Sequence, residues 1–171
     1  LPIARVAPYS AGDTPRQVMD FVRATILIAS LTAGLAFPVM AAESPRRVLE
    51  AFGFLGRWSP DCDQPPSPGN SLRTTSATPG GGVGFSEAFG TSFRENVYEV
   101  LDAKRIAGDR VSIRIRLNGE TTQDLVVAIH KGRLRTMANR PRDGANAGQT
   151  IVKDGRVTAT GTPTPWMSRC P

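Results

Sequence analysis

The chain has 171 residues, with 21 Lys and Arg against 15 Asp and Glu, one histidine and two cysteines. Two distant cysteines and one histidine cannot supply the three or four closely spaced ligands of a zinc centre, so no metal and no cofactor is expected. The net charge of +6 favours anionic partners in principle, but no run of five like charges occurs and the aromatic residues are not interleaved with arginines, so nucleic acid is not expected as a partner.

Residues 1–18 carry Pro2, Pro8 and Pro15 with no apolar period, and are read as an over-extended start that does not fold. Met19 then opens a signal-peptide pattern over 19–41. Arg23 precedes fourteen uncharged residues, Ala24 to Phe37, and Val39 and Ala41 stand at the positions a signal peptidase reads. Pro38 breaks the helix before the cut. No cysteine lies near the site to carry a lipid, and Arg46-Arg47 follows the apolar run instead of preceding it, which disfavours a twin-arginine route. A retained membrane anchor is the competing expectation, because the uncharged stretch to Ala42 approaches the ~20 residues of a spanning helix. Cleavage near Ala41 leaves no anchor and makes the product periplasmic or secreted.

Residues 42–171 suit one domain with a real core. Ser44-Pro45 reads as N-cap and first turn of a short helix, with Val48, Leu49 and Phe52 on one face and Gly53 ending it. A first strand is expected over residues 54–58. A loop holding Pro60, Pro65, Pro66, Pro68 and Gly69 follows. Strands are expected over residues 70–77, 83–89 and 93–103, the first two joined by a loop at Gly80-Gly81-Gly82.

Period two is clearest in Val111, Ile113, Ile115 and Leu117, which alternate with Ser112, Arg114 and Arg116. A three-residue loop, Asn118 to Glu120, then sets Ile113 against Leu125, Val111 against Val127 and Arg114 against Asp124. Lys131-Gly132 turns the chain again, pairing Ile129 with Leu134 and His130 with Arg133. Weaker strands are expected over residues 149–153, 156–160 and 165–169, with Asp154-Gly155 as a hairpin turn between Val152 and Val157. The fold class is all-β, an antiparallel meander of about eight to ten short strands. Closure into an up-and-down barrel would remove the exposed edges.

Cys62 and Cys170 sit near the two ends of this domain. In an oxidising compartment an isolated pair is most simply a disulfide, and a closed meander brings its first and last strands side by side as that bond requires.

Gly56-Arg57-Trp58 on a first strand after a short helix, followed by a meander ending at Arg169-Cys170, resembles a lipocalin-type calycin barrel. The resemblance implies that Trp58 closes one barrel end and that Arg169 packs across it. Residues 58–62, Trp-Ser-Pro-Asp-Cys, taken with residues 164–170, also resemble a family of small exported bacterial proteins with no assigned activity.

Chemistry is sparse. His130 is expected on the outer face as an ordinary surface residue. Ser86 lacks the glycine and the strand-to-helix turn of a nucleophile elbow, and neither a lysine nor a helix follows Gly80 to Gly84 to make a phosphate loop. Glu87, Glu95, Glu99 and Asp102 are the only material for a carboxylate-dependent hydrolase or isomerase inside the barrel. An inward-facing close pair among them would favour an enzyme; an all-apolar interior would favour a non-enzymatic module binding a small apolar ligand or a partner protein. Arg114, Arg116, Arg133 and Arg135 are expected to form an outer patch for an anionic envelope component. If Met19 starts the chain and Ala41 ends the signal, the exported product should begin within one residue of Ala42. Intact-mass measurement of an extracytoplasmic fraction checks this, and a full-length membrane-bound species would show an anchor instead.

Overall fold

The structure, a computed structural model, describes residues 43–171. The expected start segment and signal peptide lie outside the described residues. One helix, α1 (Pro45–Phe52), precedes ten antiparallel strands: β1 (Gly56–Ser59), β2 (Leu72–Ala77), β3 (Val83–Ala88), β4 (Asn96–Ala107), β5 (Arg110–Leu117), β6 (Thr121–His130), β7 (Arg133–Pro141), β8 (Val152–Lys153), β9 (Arg156–Val157) and β10 (Ser168–Cys170). They form a single curled sheet, a half-barrel, in the order β10-β1-β2-β3-β4-β5-β6-β7-β8-β9.

The helix begins and ends where its caps dictate. The Ser44 hydroxyl accepts from the Arg47 amide, Pro45 starts the first turn, and Gly53 leaves in the left-handed conformation. Val48, Leu49 and Phe52 are its buried face. The first strand starts two residues later than the sequence pattern indicated, because the Phe54 amide is committed to the Leu49 carbonyl at the helix exit and cannot join a ladder. Phe54 is instead fully buried beside Trp58, whose indole nitrogen donates to the Phe54 carbonyl at 2.9 Å.

The expected register is present in the central hairpins. Ile113 pairs with Leu125, Val111 with Val127 and Arg114 with Asp124. Ile129 pairs with Leu134, His130 with Arg133 and Val152 with Val157. Asn118, Lys131 and Asp154 adopt positive φ, each followed by a glycine that does the same, so these turns carry the local twist that two paired strands need. Three bulges interrupt the ladders, one of them at Ile106 between Arg105 and Ala107. Leu101 is the extra residue between Val100 and Asp102, which lets both Val100 and Ala103 point inward, and Met137 is the extra residue opposite the Val126–Val127 step.

The two ends of the chain meet. Trp58 of β1 stands directly opposite Arg169 of β10. Two residues earlier, Met167 exchanges two backbone hydrogen bonds with Leu134 of β7, at 2.8 and 2.9 Å, so the curl is bridged on its far side as well. Cys62 and Cys170 are disulfide-bonded with Cα atoms 5.4 Å apart, which is consistent with an extracellular or periplasmic location. The loop carrying Cys62 is organised by Asn70. Its side-chain oxygen accepts from the Asp61 amide and the Ser59 hydroxyl, and its nitrogen donates to the carbonyls of Asp61, Gln64 and Pro65.

The last strands are shorter than their sequence pattern. The Thr158 hydroxyl donates to the carbonyls of Thr150 and Ile151, which turns the chain away after two paired residues. The chain then returns along the edge of β7, where the Thr164 hydroxyl donates to the Thr136 carbonyl and Thr164 and Pro165 border the interior.

The disulfide closes a loop of 108 residues, a constraint worth about 4–5 kcal/mol by chain entropy. Cys62→Ser should therefore lower the melting temperature by ~15 °C in a domain of this size. Calorimetry of the oxidised parent and the variant measures the difference, and a shift under ~3 °C would mean the strand pairing alone holds the ends.

Candidate functional site: the polar end of the barrel interior

Inward positions divide by chemistry. Val83, Val111, Ile113, Val127 and Leu134 join Leu49, Phe54 and Trp58 in an apolar core. Toward one end polar side chains also face inward, beside the apolar Phe85 and Leu125: Arg73 of β2, Glu87 of β3, Tyr98 of β4 and Gln123 of β6. They line an interior cavity of about 260 Å³, together with Ser71 and Asn139.

Strand register places these groups. Trp58 pairs with Arg73, Arg73 with Glu87, and Glu87 with Asn96, so one row crosses β1 to β4 on the inner face. The neighbouring row sets Thr75 against Phe85 and Phe85 against Tyr98. Phe85 and Tyr98 stack with ring centres 4.3 Å apart, and the Arg73 guanidinium lies 5.3 Å above the Phe85 ring.

Arg73 and Glu87 form the only ion pair among the described residues in which both side chains are largely buried, with 7% and 14% of each exposed. A single nitrogen, Nη2, reaches the two carboxylate oxygens at 3.4 and 3.5 Å. That is long for a charge-assisted hydrogen bond, which usually closes to about 2.7–2.9 Å. Glu87 is also held by the Ser71 hydroxyl at 3.0 Å. Nε and Nη1 of Arg73 are buried and have no partner, as is Oδ1 of Asn139. Burial first, and the nearby Glu87 carboxylate second, push the Tyr98 hydroxyl above its ordinary value against the opposing effects of Asn96 and Arg73. Tyr98 is thus a neutral hydrogen-bonding group throughout the physiological range, receiving the Asn96 side-chain nitrogen at 3.2 Å.

The sequence-derived carboxylate set does not assemble. Glu87 faces inward, whereas Glu95, Glu99 and Asp102 are exposed, and Glu99 is engaged by Arg116 at 3.0 Å. The interior is not all-apolar either, because Arg73 and Glu87 occupy it. His130 is exposed, with Trp166 its aromatic neighbour at 6.5 Å. Ser86 points to the outer face, opposite Thr74 and Val97. Gly80 to Gly82 form the β2–β3 hairpin loop, closed by the Thr78 amide donating to the Gly82 carbonyl.

The four arginines expected as one outer patch are split. Arg114 is bound to Asp124 at 3.1 Å and Arg116 to Glu99. Arg133 donates to the Trp166 carbonyl, while Arg135 packs over the Trp166 ring and donates to the Thr164 hydroxyl and the Gly155 carbonyl. The reason lies in the register. The row through Arg114 and Asp124 continues to Arg140, whereas the row through Arg135 runs to Ala128 and Arg110, toward the other end of the hairpin.

Arg169 lies 5.6 Å from the Trp58 ring centre and donates to the Leu55 carbonyl at 2.7 Å. Gly56 makes room for it. A Cβ there would stand 3.1 Å from the guanidinium, and φ of +126° disfavours any other residue.

Arg73 was not recognisable in the sequence as a site residue, because β2 reads Leu-Arg-Thr-Thr-Ser-Ala and offers no apolar alternation to show its inner face. Glu87 carried a usable signal. Val83, Phe85 and Glu87 alternate at period two, which puts the carboxylate on the face of the two apolar residues. Comparison of the chain with protein-family models, curated proteins and solved structures finds no match.

Removing one member of a buried pair strands the other charge. Arg73→Met alone should cost about 3–5 kcal/mol, whereas Arg73→Met with Glu87→Leu should fall within ~1 kcal/mol of the parent. Urea unfolding of the three proteins checks this, and equal losses in the single and double variants would show that the pair is not electrostatically coupled.

Proposed function

We propose that this chain is an exported, non-enzymatic binding module that holds one small molecule in the interior cavity between β2, β3, β4 and β6. The observation that carries the reading is Arg73: a guanidinium only 5% exposed, lining a cavity, with two nitrogens unpartnered. Leaving a buried donor unmet costs on the order of 1–3 kcal/mol, more for a charged group. A bound molecule that accepts from Arg73 recovers that cost.

The lipocalin-like arrangement of Trp58 and Arg169 supports the same reading, since such barrels are closed at one end and receive ligands at the other. The signal-peptide pattern and the Cys62–Cys170 bond support an extracytoplasmic site of action. The cavity amends one expectation. A long apolar ligand suits neither its polar groups nor its volume of about 260 Å³, which lies below the usual ~300–1,000 Å³ of small-molecule sites. By the volume of liquid water, the space admits a ligand on the order of ten non-hydrogen atoms.

Native mass spectrometry of protein isolated from the extracytoplasmic fraction tests the reading. A co-purifying adduct on the order of 150 Da, lost in the Arg73→Met/Glu87→Leu protein, is the expected result. An adduct retained by that variant would place the ligand elsewhere.

A further inference from the structure

We infer that the ligand is a small neutral molecule carrying both hydrogen-bond donors and acceptors, of the size and polarity of a monosaccharide or cyclic polyol. This rests on the binding role proposed for the cavity and goes further by fixing the charge and functional groups of its occupant.

Charge balance is the first argument. Arg73 and Glu87 bring one positive and one negative charge into the interior, side by side. An anion drawn to Arg73 would sit against the Glu87 carboxylate, and a cation drawn to Glu87 would sit against Arg73. Either leaves a net charge in a largely buried site, where like charges are weakly screened and desolvation is severe. Tyr98 does not alter this count, because its raised titration keeps the hydroxyl neutral.

Unmet polar atoms give the second argument. Nε and Nη1 of Arg73 are donors in need of an acceptor, and Oδ1 of Asn139 is an acceptor in need of a donor. Both residues line the same cavity. A carboxylate or a phosphomonoester dianion group offers acceptors alone and would leave Asn139 unmet. Hydroxyl groups act as donor and acceptor at once and serve both residues. Gln123, 7% exposed on the facing strand, adds a side-chain amide of the same dual character. The stacked Phe85–Tyr98 pair and Leu125 supply apolar surface for the carbon skeleton of such a ligand.

Saturation-transfer NMR on the disulfide-bonded protein decides the matter, using myo-inositol and methyl glucoside as neutral probes against hexanoate and hexylammonium as charged ones. Transfer to the neutral probes is expected. Asn139→Leu should weaken it about tenfold, the value of one hydrogen bond to a buried partner, and Arg73→Met/Glu87→Leu should abolish it. Preferential binding of hexanoate that Asn139→Leu leaves unchanged would overturn the neutral assignment while upholding a ligand in the cavity, and preference for hexylammonium would do the same. Binding of no probe by the parent protein, shown folded by its dispersed spectrum, would overturn the binding role itself.

Discussion

The pairing of β1 with β10 is the constraint on which the rest of this structure depends. A four-residue strand near the start of the domain and a three-residue strand at its end hold each other in register, with Trp58 opposite Arg169. Neither strand is long enough to be stable as an isolated hairpin. What holds them is the concentration of interactions around the join. The indole is buried against α1 and Phe54, and its far face is covered by a guanidinium anchored to Leu55. A disulfide fixes the loop just beyond, and Asn70 fixes the backbone that carries it. With the ends joined, the curl of the sheet is set. The inward row from Trp58 through Arg73 to Glu87 follows from that curl, because residues directly opposite on antiparallel strands share a face.

The interior therefore has two characters in one sheet. Where β5, β6 and β7 supply Ile113, Val127 and Leu134, burial of apolar surface needs nothing else. Where β2, β3 and β4 supply Arg73, Glu87 and Tyr98, burial is tolerable only because the charges oppose each other and Ser71 and Asn96 meet part of the remaining demand. The part left unmet is confined to atoms that border the cavity or lie beside it. A protein retaining such a polar cluster in place of an apolar core gives up stability there.

Legibility in the sequence followed the strength of local patterning. The helix caps at Ser44 and Gly53, the turns at Asn118-Gly119, Lys131-Gly132 and Asp154-Gly155, and the register of β5, β6 and β7 were all readable, because each is dictated within a few residues. The cysteine pair was readable from its isolation near the domain's ends. Strand ends were less so, since Phe54 and Thr158 are diverted by hydrogen bonds to residues outside their own strands. The site was hidden for a related reason. The inner face of β2 is defined only by its neighbours β1 and β3, and a buried arginine has the same letter as a solvated one. The outer arginines misled because strand alternation tells which face a residue takes but not which carboxylate, carbonyl or ring stands beside it.

Segment 155–166 runs along the edge of β7, and its tightest point is Gly155, where a Cβ would come within 2.8 Å of the Arg135 guanidinium. It also feeds directly into Met167 and β10, the strand that completes the curl. The partners in that final step, Arg57 and the Pro171 carbonyl, are 114 residues apart in sequence. Contacts of such separation form late and slowly, since the loop between them must be ordered before they bring any gain. The hairpins from β2 to β7 can assemble as the chain emerges, but the polar end of the interior stays open to solvent until residues 164–170 are in place. Loss of β10 would accordingly act on folding as a whole, leaving a meander with two unpaired edges in place of a slightly shortened domain.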